Sequence, residues 1–111
     1  MLKYNYSNRF SKKREKMQTR DNIINFLKNN KQIIQERYAV DKIALFGSFA
    51  RDEATKDSDI DIIVDMKPSF DNFFDLKYFL EDAFKTKVDL GKEKNLRLLV
   101  KKQIKDELIY V

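Results

Sequence analysis

Apolar positions along the chain fall into short clusters of two different periods. Ile23, Ile24 and Leu27 recur at helical spacing behind Thr19 and Asp21, either of which can cap a helix running to about Asn29. Ile33, Ile34 and Tyr38 place a second short helix directly after it. The period then changes. KIALFG at residues 42–47 and DIDIIVD at residues 59–65 read as two strands, one buried and one rich in β-branched side chains. Between them, GSFARDEATKDS reads as a turn with room for a short helix. Pro68 and Ser69 break the chain before residues 70–85, where Phe73, Leu76, Phe79, Leu80 and Phe84 form a helical stripe with Tyr78 on its flank. KVDL at residues 87–90 is a third strand, ended by Gly91, and Asn95 opens a last helix carrying Leu96, Leu99, Val100 and Ile104. These elements predict one small mixed α/β domain.

Composition narrows the chemistry more than it narrows the fold. The chain has 111 residues, with 42% hydrophobic, nine Phe and five Tyr, enough for one core. It has neither Cys nor His, which excludes disulfides, thiolate or imidazole metal sites, and every catalytic triad or dyad built on histidine. Carboxylate, hydroxyl, amine and guanidinium groups remain. The longest apolar runs are four residues, such as Ile43 to Phe46, so neither a membrane span nor a signal-peptide core is expected, and the cytoplasm is the expected compartment.

The formal charge of +5 is unevenly spread. Residues 1–20 carry seven Lys/Arg and one acid, a net of +6, so the other ninety-one residues sum to −1. Lys12, Lys13, Arg14 and Lys16 form a self-repelling run without helical or strand period. Residues 1–18 are therefore expected to be a basic, poorly ordered arm, and residues 19–111 the domain. No nucleic acid is expected on the near-neutral body.

The informative stretch is Gly47-Ser48 followed, ten residues later, by Asp59-Ile60-Asp61. Side chains alternate along a strand, so Asp59 and Asp61 are expected on one face, with Ile60, Ile62 and Val64 on the other. Two carboxylates forced together repel, and divalent cations remove the conflict; Mg²⁺ takes one or two protein carboxylates and completes its shell with water and phosphate oxygens. Gly47 lets a phosphate approach the backbone at the start of a helical turn, and Ser48 adds a hydroxyl. Asp89, between Val88 and Leu90, completes a triad of acids if its strand lies beside the second. A two-metal phosphoryl-type transfer needs such an arrangement.

GSFARDEATKDSDIDIIVD resembles the signature of the minimal nucleotidyltransferases of the DNA-polymerase-β-like superfamily. The similarity extends from about Met17 to Val111 through the lead-in IALFGSFAR, the VDL strand and the closing ELIYV. The resemblance implies a small mixed sheet flanked by helices, ATP as nucleotidyl donor and Mg²⁺ as cofactor, as a pair of ions. It also implies Asp59, Asp61 and Asp89 as metal ligands, with Asp89 helping to deprotonate the acceptor hydroxyl. Gly47 and Ser48 would hold the triphosphate, and Arg51 would contact a phosphate or the ribose. Two positions depart from the pattern: Asp52 stands where relatives often have Gly, and Lys56 where they often have Pro.

The chain is too short to carry a second domain for an acceptor. Proteins of this kind act as antitoxins of HEPN-domain toxins, and the resemblance implies AMP transfer to a tyrosine hydroxyl of such a partner with release of pyrophosphate. A contact-only antitoxin and a small-molecule nucleotidyltransferase are the alternatives. Phe49, Phe70 and Tyr110 are candidates for an apolar contact patch on the partner side.

Overall fold

The computed structural model describes residues 18–96 and 107–111. Helix α1 (Arg20–Asn29) starts at Thr19, whose side chain accepts the Asn22 N–H, and buries Ile23 and Leu27. Helix α2 (Lys31–Tyr38) buries Ile34 and Tyr38, while Ile33, expected in its stripe, is exposed. Ala39, in the left-handed conformation, ends α2 and turns the chain into strand β1 (Val40–Phe46). A single helical turn, α3 (Gly47–Ala50), follows at once. Strand β2 is Ile60–Met66, helix α4 is Phe70–Phe84, strand β3 is Val88–Lys92 and strand β4 is Ile109–Tyr110.

The strands form one mixed sheet in the order β3-β2-β1-β4, with β2 and β3 parallel and the other pairs antiparallel. Parallel neighbours need a crossover, and α4 supplies it. Ser69 caps α4 by accepting the Asn72 N–H, and Lys85, at positive φ, closes it. Leu76, Leu80 and Phe84 of α4 join Ile23, Leu27 and Ile34 over one face of the sheet, where Ile43, Leu45, Ile60, Ile62, Val64, Val88 and Leu90 meet them. Glu81 is buried among them because its carboxylate accepts both the Val88 N–H and the Lys77 ammonium, each at 3.0 Å. Burying the apolar rows on one face leaves Phe46, Asp61 and Asp89 side by side on the other.

The expected architecture is the observed one, with local corrections. Strand β2 starts at Ile60, one residue later than expected, because Asp59 belongs to the loop whose path is fixed by the Ile60 N–H bond to the Lys87 carbonyl. Gly91 does not end β3. It lies opposite Ile63, whose Cδ1 would be only 3.3 Å from an added Cβ, so the glycine makes room for that side chain inside the strand. A 3₁₀ turn, Glu93–Asn95, stands where the last helix was expected to open, and the remainder of that helix lies outside the described residues, as do positions 1–17 of the basic arm. Strand β4 was not foreseen. Among the described residues no helix is long and apolar enough to cross a membrane.

The turn after α3 explains one departure from the family pattern. Asp52 adopts φ 62, and around it the Asp52 N–H bonds the Phe49 carbonyl and the Glu53 N–H bonds the Ser48 carbonyl at 2.8 Å. This paired closure is the Schellman arrangement, whose left-handed position glycine fills without steric cost and Asp tolerates. Replacing Asp52 with Val should therefore cost about 1–2 kcal/mol relative to replacing it with Gly, as measured by urea unfolding.

Candidate active site

The site is built where β1 ends and β2 begins. Phe46 pairs with Asp61, so the residue after β1, Gly47, turns directly over the Asp61 side chain. Gly47 has φ +77, and a Cβ placed there would coincide with Asp61 Oδ2. Both facts require glycine: the conformation excludes a side chain, and the space is taken by the carboxylate. On the opposite side Asp61 is in register with Asp89 across the parallel β2–β3 pair, and Asp59 stands two residues before it.

The electrostatics follow from that placement. Asp61 is half-buried, and its carboxyl is pushed from 3.8 up to about 6, first by burial and then by the like charges of Asp89 and Asp59; Arg51 opposes the rise. The described side chains thus leave negative charge gathered around Asp61 incompletely neutralised. Asp59 and Asp89 themselves are exposed to solvent. The acids expected from the sequence are brought to one end of the sheet, although Asp59 lies in the loop rather than in the strand.

The donor set fits Mg²⁺. It consists of hard carboxylate oxygens around an incompletely neutralised charge, beneath a glycine whose missing side chain makes room for the Asp61 carboxylate. Among the described residues no group of three or more acidic side chains is placed to hold a metal ion. Mg²⁺ keeps water and substrate oxygens in its shell and draws on only one or two protein carboxylates, so it does not require three.

Ser48 lies in the first turn of α3, where backbone N–H groups have no partner within the helix. Arg51 follows that turn and is held by two carboxylates: its Nε donates to Glu53 Oε1 at 2.9 Å and its Nη1 to Glu107 Oε1 at 3.0 Å. Of the two acids that follow it in sequence, Glu53 and not Asp52 pairs with it. Glu107 was missed by sequence reasoning; it belongs to the closing ELIYV, and only the pairing of β4 with β1 brings it to the site. Of the three aromatic residues expected at a contact patch, Phe70 and Tyr110 are exposed, but Phe49 is only 3% exposed and packs in the core. A residue in a one-turn helix between two sheet strands points inward, which the sequence spacing does not reveal.

Asp61→Asn should raise the stability of the metal-free protein. The folded carboxyl titrates above its ordinary value, so the Asp61 contribution to wild-type stability is greatest at low pH and declines as pH climbs from about 4 to about 6. The Asn variant is free of that decline. In EDTA at pH 7.5 it should be more stable by about 1 kcal/mol, a solvent-screened part of the full shift, with the difference vanishing near pH 4. Thermal melts at the two pH values check this. Gly47→Ala should lower stability at both.

Comparisons with known proteins agree with this geometry. The nucleotidyltransferase domain family matches residues 27–111. MJ1379 of Methanocaldococcus jannaschii, an inferred protein adenylyltransferase, is 43% identical over 100 residues, covering 86% of this chain and 100% of the relative. The protein adenylyltransferase MntA of Thermococcus cleftensis is 37% identical over 97 residues, covering 86% and 98%. Among solved structures, a minimal nucleotidyltransferase superposes with a TM-score of 0.74 at 25% identity, covering 86% of this chain and 98% of that one. A chain from the complex of tri-AMPylated Shewanella oneidensis HEPN toxin with its MNT antitoxin superposes with a TM-score of 0.55 at 20% identity, covering 78% and 69%, a likeness of fold.

Proposed function

Because the chain belongs to the nucleotidyltransferase domain family, as an MntA-like member whose relatives are protein adenylyltransferases, we propose that it transfers AMP from ATP to a tyrosine hydroxyl of a HEPN-type toxin. It thereby acts in the cytoplasm as an antitoxin within a hetero-oligomer. The observation that carries this reading is the position of Asp61, in register with Asp89 and pressed beneath the Gly47 turn. A tri-AMPylated HEPN toxin accompanies the MNT antitoxin in a complex that shares this fold, which supports the choice of partner. Residues 19–111 are taken as the catalytic domain, with residues 1–18 as an arm outside it.

Asp59, Asp61 and Asp89 would hold Mg²⁺, as two ions. When bound, Mg²⁺ supplies charge neutralisation for the triphosphate and for the attacking oxygen. The chain's own groups set the geometry. Gly47 admits a phosphate close to the backbone, and the N–H groups of the α3 turn with the Ser48 hydroxyl donate to its oxygens. The Arg51 guanidinium adds a fixed positive charge at the rim. Asp89, exposed at the edge strand, faces the side from which a macromolecular acceptor would arrive, and its carboxylate takes the proton of the tyrosine hydroxyl. The tyrosine oxygen forms a bond to the α-phosphorus while the bond from that phosphorus to the pyrophosphate oxygen breaks, and pyrophosphate leaves.

Incubating the full chain with ATP, Mg²⁺ and a co-expressed HEPN-type protein should add one or more AMP masses to the partner, read by intact-protein mass spectrometry. Asp61→Asn and Asp59→Asn should lower the rate by at least about a thousandfold, as removal of charge-stabilising groups does. Neutralisation of the partner by these variants at wild-type level, with no AMP added by the wild type, would favour antitoxin action by contact alone. AMP appearing on a small hydroxyl compound and not on the protein would move the acceptor to that class.

A further inference from the structure

The way Arg51 is held points to a role for a residue near the end of the chain. Arg51 closes the single turn that begins at Gly47 directly over the Asp61 side chain, its N–H bonding the Gly47 carbonyl at 3.1 Å, so an untethered guanidinium would have those carboxylates within its reach. There it would occupy the oxygens that the metal needs. It is instead tied outward by two separate anchors. Glu53 is set beside it by the Schellman closure at Asp52, and its Oε1 accepts from Nε at 2.9 Å. Glu107 arrives from fifty-six residues further along, and its Oε1 accepts from Nη1 at 3.0 Å. Among the described residues Nη2 makes no hydrogen bond to the protein.

Glu107 has the fixed footing that such an anchor requires. The segment it leads is pinned by the pairing of Ile109 and Tyr110 with Leu45 and Ala44, and by the Val111 N–H bond to the Ile43 carbonyl at 3.0 Å. Tyr110 Oη also bonds Glu93 Oε1 at 3.2 Å, joining the edge strand β4 to the turn that follows the opposite edge strand, β3. The carboxylate of Glu107 is thus presented two residues ahead of a strand that the sheet pins in place.

We propose that Glu107 is a positioning residue for nucleotide binding: by holding Nη1 of Arg51 it keeps the guanidinium off the acidic cluster, with Nη2 turned to a phosphate of the donor. This rests on the nucleotidyltransferase reading and adds the last five residues of the chain to the nucleotide site. The sign of the expected effect separates it from its rival. A carboxylate acting only through its charge would repel a triphosphate, so removing it would tighten binding. A carboxylate acting through Arg51 does the reverse.

The test is Glu107→Gln, with calorimetric titration of a non-hydrolysable ATP analogue in Mg²⁺ beside steady-state AMP transfer. Analogue affinity should weaken and KM for ATP should rise by about fivefold, the scale of one partly exposed charge-assisted contact, with kcat kept. Glu107→Asp should recover part of the loss. In an Arg51→Gln background, Glu107→Gln should add nothing further, since the group it orients is gone. Binding that is unchanged or tighter in Glu107→Gln, or losses that simply add in the double variant, would overturn the proposal while leaving AMP transfer by the wild type intact. Failure of the wild type to bind the analogue would overturn the proposal together with the nucleotidyltransferase reading.

Discussion

The half-buried carboxylate of Asp61 is the constraint around which one end of the sheet is arranged. A charge in that position is unfavourable for the empty fold: it is partly desolvated, and Asp59 and Asp89 add like charge. The backbone nevertheless closes over it, since the space where a side chain at position 47 would sit is filled by Asp61 itself. Strain at a site is informative when the surrounding structure enforces it. Here β1 and β3 flank β2, and the apolar rows of all three are buried on the far face, so Asp61 cannot turn away without disturbing the core.

From that constraint the remaining parts take their positions. Strand β1 ends opposite Asp61, so the α3 turn begins over it. The turn must then close quickly to return the chain to β2, which it does through Asp52 in the left-handed conformation, and this closure brings Glu53 to Arg51. On the other edge, β4 pairs with the second half of β1 and carries Glu107 to the same guanidinium. A local feature of the loop and a long-range feature of the sheet therefore converge on one side chain. The protein adenylyltransferase relatives match this chain over nearly their whole length.

Much of this was legible in the sequence because the signals were strong ones. The β-branched content of DIDIIVD and the helical stripe that follows the break at Pro68 and Ser69 located β2 and α4, and the Gly-Ser spacing to the acids drew attention to the end of the sheet where β1 and β2 meet. The α1 cap at Thr19 was equally readable. What escaped depended on tertiary partners. Gly91 resembles a strand stop until Ile63 is seen across from it. Phe49 reads as surface-facing until its turn is placed between two strands, and Ile33 reads as core until α2 is docked by Ile34 and Tyr38. Two residues of β4 carry too little pattern to register, so Glu107 was only one more charge near the end of the chain. Asp59 and Asp61 were both expected on one strand, yet the strand begins between them.

The like charge gathered at Asp61 is held to form a divalent-cation site, and titration of the full chain with Mn²⁺ followed by electron paramagnetic resonance reads that directly. The wild type should bind Mn²⁺ at pH 7.5, and Asp61→Asn should lose at least about tenfold in affinity while remaining folded. Equal Mn²⁺ binding by the two proteins would contradict the assignment of Asp61 as the centre of the site.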